Sequence, residues 1–340
     1  MKRRLFFKRS GLAAAGAAWL APSAMAAPAS RTKQPAARLD APLNPFLQGG
    51  CWFKAALHVH TKTSDGDVDV ATRLAQYRDA GFQVVAITDH WKTNDLTTFT
   101  KDGFLAINSM EVHPKTGSGA PAHHFVCLDL PHPFELSKEL PAQELIDTVR
   151  RAGGKVIYAH PYWTAHGLEE LLEVSGYLGV ELYNAHCELA SAKGHSGVHV
   201  DQLCNKGLLP GLLAVDDVHK STWLAQGWTM IRARQLTKTG IMDALGQGCY
   251  YASCGPTIID FRVENGTVRL KTSPAAQIRF FFNGAGGGRL FQSEGGKTIT
   301  EAVWNLTGSR KQPQWIRAEV VEVSGKRAWT NPLPVTERRS

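Results

Sequence analysis

The 340-residue sequence predicts an α/β fold in which parallel strands wrapped by helices form a barrel, followed by a small antiparallel β-sandwich. Three observations carry this. From about residue 52, short apolar runs alternate with amphipathic stretches, the rhythm of strands and helices in turn. About seven such units suggest a barrel. After Gly255-Pro256 the pattern changes to runs of period two separated by Gly-rich or polar turns, which reads as antiparallel sheet.

In chain order the barrel strands are expected at Ala55–His60, Val84–Thr88, Phe104–Met110, Phe125–Leu130, Lys155–His160, Val180–Tyr183 and Leu212–Val215. Helical patterns fall at Val70–Ala80, Pro141–Ala152, Leu168–Val174 and Val198–Asn205, with Gly81 and Gly153-Gly154 as helix stops. A helix around Leu236–Leu245 and a strand around Cys249–Ser253 finish this part. The sandwich strands are expected at Ile259–Val263, Thr267–Leu270, Gln277–Phe282 and Ile316–Val323.

Residues 1–26 read as a signal peptide, with a basic start, an apolar run from Gly11 to Ala21 and a small-residue end at Ala24-Met25-Ala26. Arg3-Arg4 followed by Phe6 and Lys8 is the twin-arginine export pattern, so a periplasmic or secreted location is expected. Removing the five basic residues of that segment lowers the net charge from +8 to +3, too little to argue for nucleic acid or a membrane surface. The resulting organisation is a signal peptide (1–26), a mobile leader (27–50), a barrel (51–257) and a β-sandwich domain (258–340). Six cysteines without Cys-x-x-Cys spacing read mainly as buried thiols.

Metal-competent residues gather at strand ends. His58 and His60 alternate on one strand face, and Asp65 follows in a Ser64-Asp65-Gly66 turn. Val84–Thr88 runs into Asp89-His90, Phe104–Met110 into Glu111, Lys155–Ala159 into His160, and Leu212–Val215 into Asp216-Asp217-Val218-His219. The pair His123-His124 is the exception, because it precedes its apolar run; an extended segment entering the barrel mouth is the expected explanation. Functional groups of such barrels collect at the strand C-terminal rim. That many imidazoles and carboxylates in one place are costly to bury unless ions neutralise them.

The order of the segments LHVHTKTSDG, ITDH, NSMEVH, HHFVCLDL, YAHP and AVDDVH resembles the polymerase and histidinol phosphatase (PHP) superfamily. GVELYN, the stretch from GWTMIRA to CYYASCGP, and AWTNP at Ala328–Pro332 extend the resemblance over roughly residues 52–335 and look like its exported carbaryl-hydrolase-like branch. The resemblance implies a distorted (βα)7 TIM-like barrel carrying two to three divalent ions (Zn, Mn or Fe). His58, His60 and Asp217 would bind the first ion, and Glu111 would bridge it to a second completed by His160 and by His124, taken over the adjacent His123 because it directly precedes the apolar run. Asp65, His90 and His219 would hold the third. Glu111, Asp217 and His219 are the expected catalytic residues, with a metal-bridging hydroxide as nucleophile. Asp89 and Asp216 are expected to orient imidazoles. Lys62 and Lys92 read as solvated lysines, with a phosphate contact as the alternative. His113, His166, His186, His195 and His199 read as surface or packing residues.

The expected function is metal-dependent hydrolysis of a small phosphoester. Two alternatives stay open at this point: hydrolysis of a carboxylic or carbamate ester, and a non-catalytic exported metal- or ligand-binding protein. The native metal and the oligomeric state have no readable signature.

Overall fold

A computed structural model describes residues 41–306 and 312–335; the expected signal peptide and the first part of the leader lie outside them. The barrel portion runs β1 (Cys51–Ala56), α1 (Val70–Asp79), β2 (Val84–Ile87), β3 (Leu105–Val112), β4 (Phe125–Leu128), α2 (Ala142–Arg151), β5 (Lys155–Tyr158), α3 (Leu168–Glu173), β6 (Gly179–Asn184), α4 (Ala185–Ser191), α5 (Gly197–Asn205) and β7 (Gly211–Val215). The strands form one path in sequence order from β1 to β7. Local chemistry explains the helices. Asp69 caps α1 by accepting from Thr72 N at 2.8 Å, and α2 buries Ala142, Leu145, Ile146 and Val149, one stripe of a 3.6-residue period.

Strand direction corrects the all-parallel expectation. β1, β2 and β3 are parallel neighbours, as are β5, β6 and β7. β4 runs antiparallel to both β3 and β5. Its start therefore lies at the rim where the other strands end, which is the reason His123-His124 precedes its strand. The first strand also ends earlier than expected: His58 and His60 lie beyond β1, where Val59 N donates to Thr88 Oγ1 at 2.9 Å. The two edges of the path meet at this rim. Val59 and Val218 form a parallel bridge, His60 N donates to Val218 O at 3.1 Å and Asp217 N to His58 O at 3.0 Å. Below it, Leu57, Ala86, Ile107, Val126, Ile157 and Leu213 belong to one buried apolar cluster.

β8 (Trp228–Ala233) pairs antiparallel with β1 and, after α6 (Lys238–Gly246), with β9 (Tyr250–Ser253). The remaining strands are β10 (Ile258–Glu264), β11 (Thr267–Ala275), β12 (Gln277–Phe282), β13 (Gly288–Gln292), β14 (Ile299–Asn305), β15 (Trp315–Val321), β16 (Arg327–Thr330) and β17 (Leu333–Pro334). β10, β11 and β14 form a separate antiparallel sheet, and Phe261, Leu270, Ile278, Phe280, Ile316 and Val320 fill the core it shares with β12 and β15. The second sheet of this sandwich is continuous with the barrel sheet, because β16 hydrogen-bonds to β9.

The described end of the expected mobile leader is fastened. Asn44 Nδ2 donates to Phe261 O at 2.8 Å, and the Phe46 ring lies 5.4 Å from Trp52 and 5.8 Å from Tyr251. All six cysteines are free thiols, five of them buried and Cys51 exposed.

Candidate metal centre

The nine residues expected as ligands converge on one rim of the barrel. His58 and His60 arrive from the segment after β1, Asp65 from the loop that follows and His90 from the end of β2. Glu111 sits near the end of β3, His124 directly before β4, His160 after β5, and Asp217 and His219 after β7. Two of them stand in left-handed backbone, His160 at φ 24° and Asp217 at φ 51°. Such geometry costs about 1–3 kcal/mol per residue and persists where surrounding structure imposes it. The loop 61–66 folds so tightly that a Cβ on Gly66 would stand 2.6 Å from the His60 carbonyl oxygen, so only glycine fits.

Glu111 is the hub. Its Oε2 lies 3.1 Å from His58 Nε2 and 3.4 Å from His60 Nε2, and Asp217 Oδ1 lies 3.3 and 3.1 Å from the same two nitrogens. These four separations match the roughly 3.3 Å expected between ligand atoms around an ion with bonds of about 2.0–2.1 Å. His58 Nε2, His60 Nε2 and Asp217 Oδ1 are buried and have no hydrogen-bond partner, a state that is costly unless something binds them. The other oxygen of Glu111, Oε1, lies 2.8 Å from His124 Nδ1 and 3.3 Å from His160 Nε2. Asp65 Oδ2 faces His90 Nε2 at 3.4 Å and His219 Nε2 at 3.3 Å, and His60 joins them in a third group. The donor set and its spacing fit divalent ions, with Glu111 shared between the first two groups.

Charge and protonation are tightly coupled here. Burial pushes the carboxyls of Glu111 and Asp217 up, but the surrounding imidazoles, His58 foremost, hold both well below the ordinary range. Burial pushes the His90 imidazole down, yet its bonds to Asp65 and Glu111 raise it to about 10. His58, His160 and His219 are raised for the same kind of reason, whereas burial takes His124 down to about 4. An ion must displace the protons that the raised imidazoles carry. A raised histidine stabilises the metal-free fold most below its ordinary value near 6.5 and loses that contribution as the pH climbs toward about 10. Metal-induced thermal stabilisation should therefore grow between about pH 6 and about pH 9. Thermal melts with and without added Zn or Mn check this, and a stabilisation that falls over that range contradicts it.

Several supporting residues differ from expectation. Glu181, not expected as a site residue, is fully buried on β6; its Oε1 accepts from His58 Nδ1 at 2.7 Å, and its Oε2 accepts from His160 N at 3.0 Å and Asn184 Nδ2 at 2.9 Å. A carboxylate inside the otherwise buried strand GVELYN was the available signal. Replacing Glu181 by Gln should weaken ion binding about 10–100-fold, since such partners fix the imidazole's tautomer and orientation. Chelator competition measures this, and an unchanged affinity would refute the role.

Asp89 and Asp216 do not orient imidazoles. Asp89 accepts from Thr61 N at 2.8 Å, Thr61 Oγ1 at 2.6 Å and Ser64 Oγ at 2.7 Å, and so shapes the loop carrying Asp65. Asp216 accepts from Tyr77 Oη and from the amides of Ala225, Gln226 and Gly227 at 2.6–2.8 Å. Two histidines expected to be bystanders belong to the site. His113 Nε2 lies 2.9 Å from His90 Nδ1, as the Glu111-x-His113 alternation on one strand face could have indicated. His186 packs its ring 4.4 Å from that of His219 and lines the pocket. His123 is absent from the metal groups; its Nδ1 instead meets Tyr158 Oη at 2.9 Å.

Seven of the nine expected ligands, all but His58 and His60, open onto a pocket of about 330 Å³, walled further by Trp163, His186 and Cys187. Trp163 is 41% exposed, with its ring 5.6 Å from that of His124 and 5.1 Å from that of His160. Among the described residues no helix is long and apolar enough to cross a membrane.

No protein-family model and no curated protein matches the chain. Among solved structures, it is similar to a two-domain protein from Bacteroides vulgatus ATCC 8482 described as containing a predicted PHP-like metal-dependent phosphoesterase. That likeness has 14% identity and a TM-score of 0.48, and covers 88% of this chain and 100% of that one. PsfC from Pseudomonas syringae PB-5123 matches at 15% identity and TM-score 0.42, over 57% of this chain and 87% of that one. An amidohydrolase from Chromobacterium violaceum, with bound sulfate and no metal, matches at 15% identity and TM-score 0.37, over 49% and 87%. By its motifs, and by where the fold places them, the chain resembles the PHP superfamily.

Proposed function

We propose that this chain is a metal-dependent hydrolase of the PHP superfamily that cleaves a small phosphoester. The observation that carries the reading is the placement of Glu111, whose two oxygens face two different histidine groups on the floor of one open pocket. His58, His60, Glu111 and Asp217 would hold one ion, Glu111, His124 and His160 a second, and Asp65, His90 and His219 a third. Paired divalent ions bound there supply Lewis-acid polarisation of the ester and a water acidified toward neutral pH. Around them the protein excludes and orients. Trp163 covers the His124–His160 side against bulk water, and His186 lines the pocket with its ring packed on that of His219. Glu181 holds the His58 ring in one orientation.

One observation favours hydrolysis of an uncharged carboxylic or carbamate ester as the second reading. No Lys or Arg lines the pocket among the described residues, and Lys92 is turned to Thr63 O at 2.7 Å. A phosphate there would rely on ions alone. The narrower likeness to the exported branch, and export through a twin-arginine signal, rest on sequence motifs. The test is turnover by the purified chain loaded with Zn, Mn or Fe. Hydrolysis of p-nitrophenyl phosphate or bis-p-nitrophenyl phosphate supports the first reading, and hydrolysis confined to p-nitrophenyl or naphthyl esters replaces it with the second. No turnover of any of them, with no ion bound, rejects both and leaves a binding protein.

A further inference from the structure

A second polar cluster lies behind His124, outside the ligand groups. His123 is fully buried, with its Nδ1 2.9 Å from Tyr158 Oη. The same hydroxyl lies 2.8 Å from His166 Nδ1, and His166 Nε2 lies 2.8 Å from Pro121 O. The carbonyl at one end orders this row, and Glu173 Oε2 stands 3.6 Å from His123 Nε2 at the other. A carbonyl only accepts, so His166 Nε2 carries a hydrogen and donates it. Burial lowers the pKa of His166, so its ring is neutral and its Nδ1 accepts. The single hydroxyl proton of Tyr158 therefore goes to His166, and the hydroxyl oxygen meets His123 Nδ1 at 2.9 Å. One phenol thus joins three pieces of chain: β5, the loop after His160, and the segment 121–124 that enters β4.

His124 needs support of this kind. The His58 ring is held by Glu181 through its Nδ1. His124 faces Glu111 through Nδ1, and its Nε2 has no hydrogen-bond partner among the described residues. The aim of His124 at Glu111 is therefore set by its backbone, whose carbonyl accepts from Ala159 N at 3.0 Å, and by ring packing against His113, His160 and Trp163 at 4.1, 4.9 and 5.6 Å between centroids. The adjoining backbone is clipped by the row through Tyr158, which stands two residues before His160, the other histidine of the same group.

We propose that the Tyr158 hydroxyl is the positioning group for the second ion: by joining His123 to His166 it fixes the backbone from which His124 reaches Glu111. This rests on the metal reading above. Its consequence is selective. Removing the hydroxyl leaves the His58–His60–Asp217 group intact and loosens the Glu111–His124–His160 group.

The experiment titrates the full metal-free chain with Co²⁺, followed by visible absorption and by bound-metal analysis, for wild type, Tyr158→Phe, His123→Phe and the double variant. Tyr158→Phe should weaken the second ion about 10–100-fold and leave the first unchanged. His123→Phe should give a similar selective loss, and the double variant no further loss, since both remove one link of a single row. Equal weakening of both ions in Tyr158→Phe identifies a general packing role and overturns the proposal. Two wild-type affinities in Tyr158→Phe, or losses that add in the double variant, overturn it as well. A wild-type chain that takes up no Co²⁺ overturns the metal reading itself, and this inference with it.

Discussion

Replacing Glu111 by Gln should lower turnover about 1,000-fold and remove at least one bound ion per chain. The substitution keeps size and shape but withdraws the charge that faces five imidazoles, those of His58, His60, His90, His124 and His160, at 2.8–3.4 Å. A neutral amide offers one oxygen where the carboxylate offers two, so it serves one ion group at best. The fold should survive, because the barrel core beneath the rim is apolar and does not use Glu111. Steady-state kinetics with metal analysis of the same samples measures both effects. Activity within tenfold of wild type, with full metal content, would remove Glu111 from the centre of the site.

The largest loss of stability is expected far from the ions. Trp329 on β16 is one of the largest fully buried side chains. Its Nε1 donates to Glu319 Oε2 at 2.8 Å, and its ring stacks on Tyr183 of β6 at 5.6 Å. It therefore joins the sandwich sheet to the barrel wall. Trp329→Ala should cost about 3–5 kcal/mol, the lost transfer of a large ring plus the cavity it leaves. Glu319 retains Arg279 at 2.7 Å, so its carboxylate is not stranded by the change. Because domains are stable by only about 5–15 kcal/mol, a shift of that size is plain in urea denaturation. A loss below about 1 kcal/mol would mean that the two parts do not depend on this contact.

The candidate ligands were legible because strand ends announce themselves. An imidazole or carboxylate at the close of an apolar run marks the rim, and the fold gathers all nine expected residues there, His124 from the start of β4. The direction of β4 was not legible, since an apolar run reads the same either way; it became evident only from its pairing with β3 and β5. Glu181 carried a signal, a carboxylate inside a strand whose other residues are also buried, but it lies within the strand and not at its end, where the ligand pattern directs attention. Asp89 and Asp216 sit beside candidate ligands in sequence, yet Asp89 is met by loop groups 25–28 residues away and Asp216 by loop amides 9–11 residues away and by Tyr77 of α1, contacts that periodicity does not encode. β8 went unnoticed although its burial alternates as a half-buried strand should. β13 is exposed along nearly its whole length and carries no apolar alternation.

The central claim is that the rim binds neighbouring divalent ions through a shared Glu111. Anomalous X-ray diffraction from crystals of the Zn- or Mn-loaded chain tests it most directly. One peak should stand about 2.0–2.2 Å from His58 Nε2, His60 Nε2, Asp217 Oδ1 and Glu111 Oε2. A second should stand as close to Glu111 Oε1, His124 Nδ1 and His160 Nε2. Density with neither peak at this rim, or with ions bound elsewhere on the chain, would contradict the account.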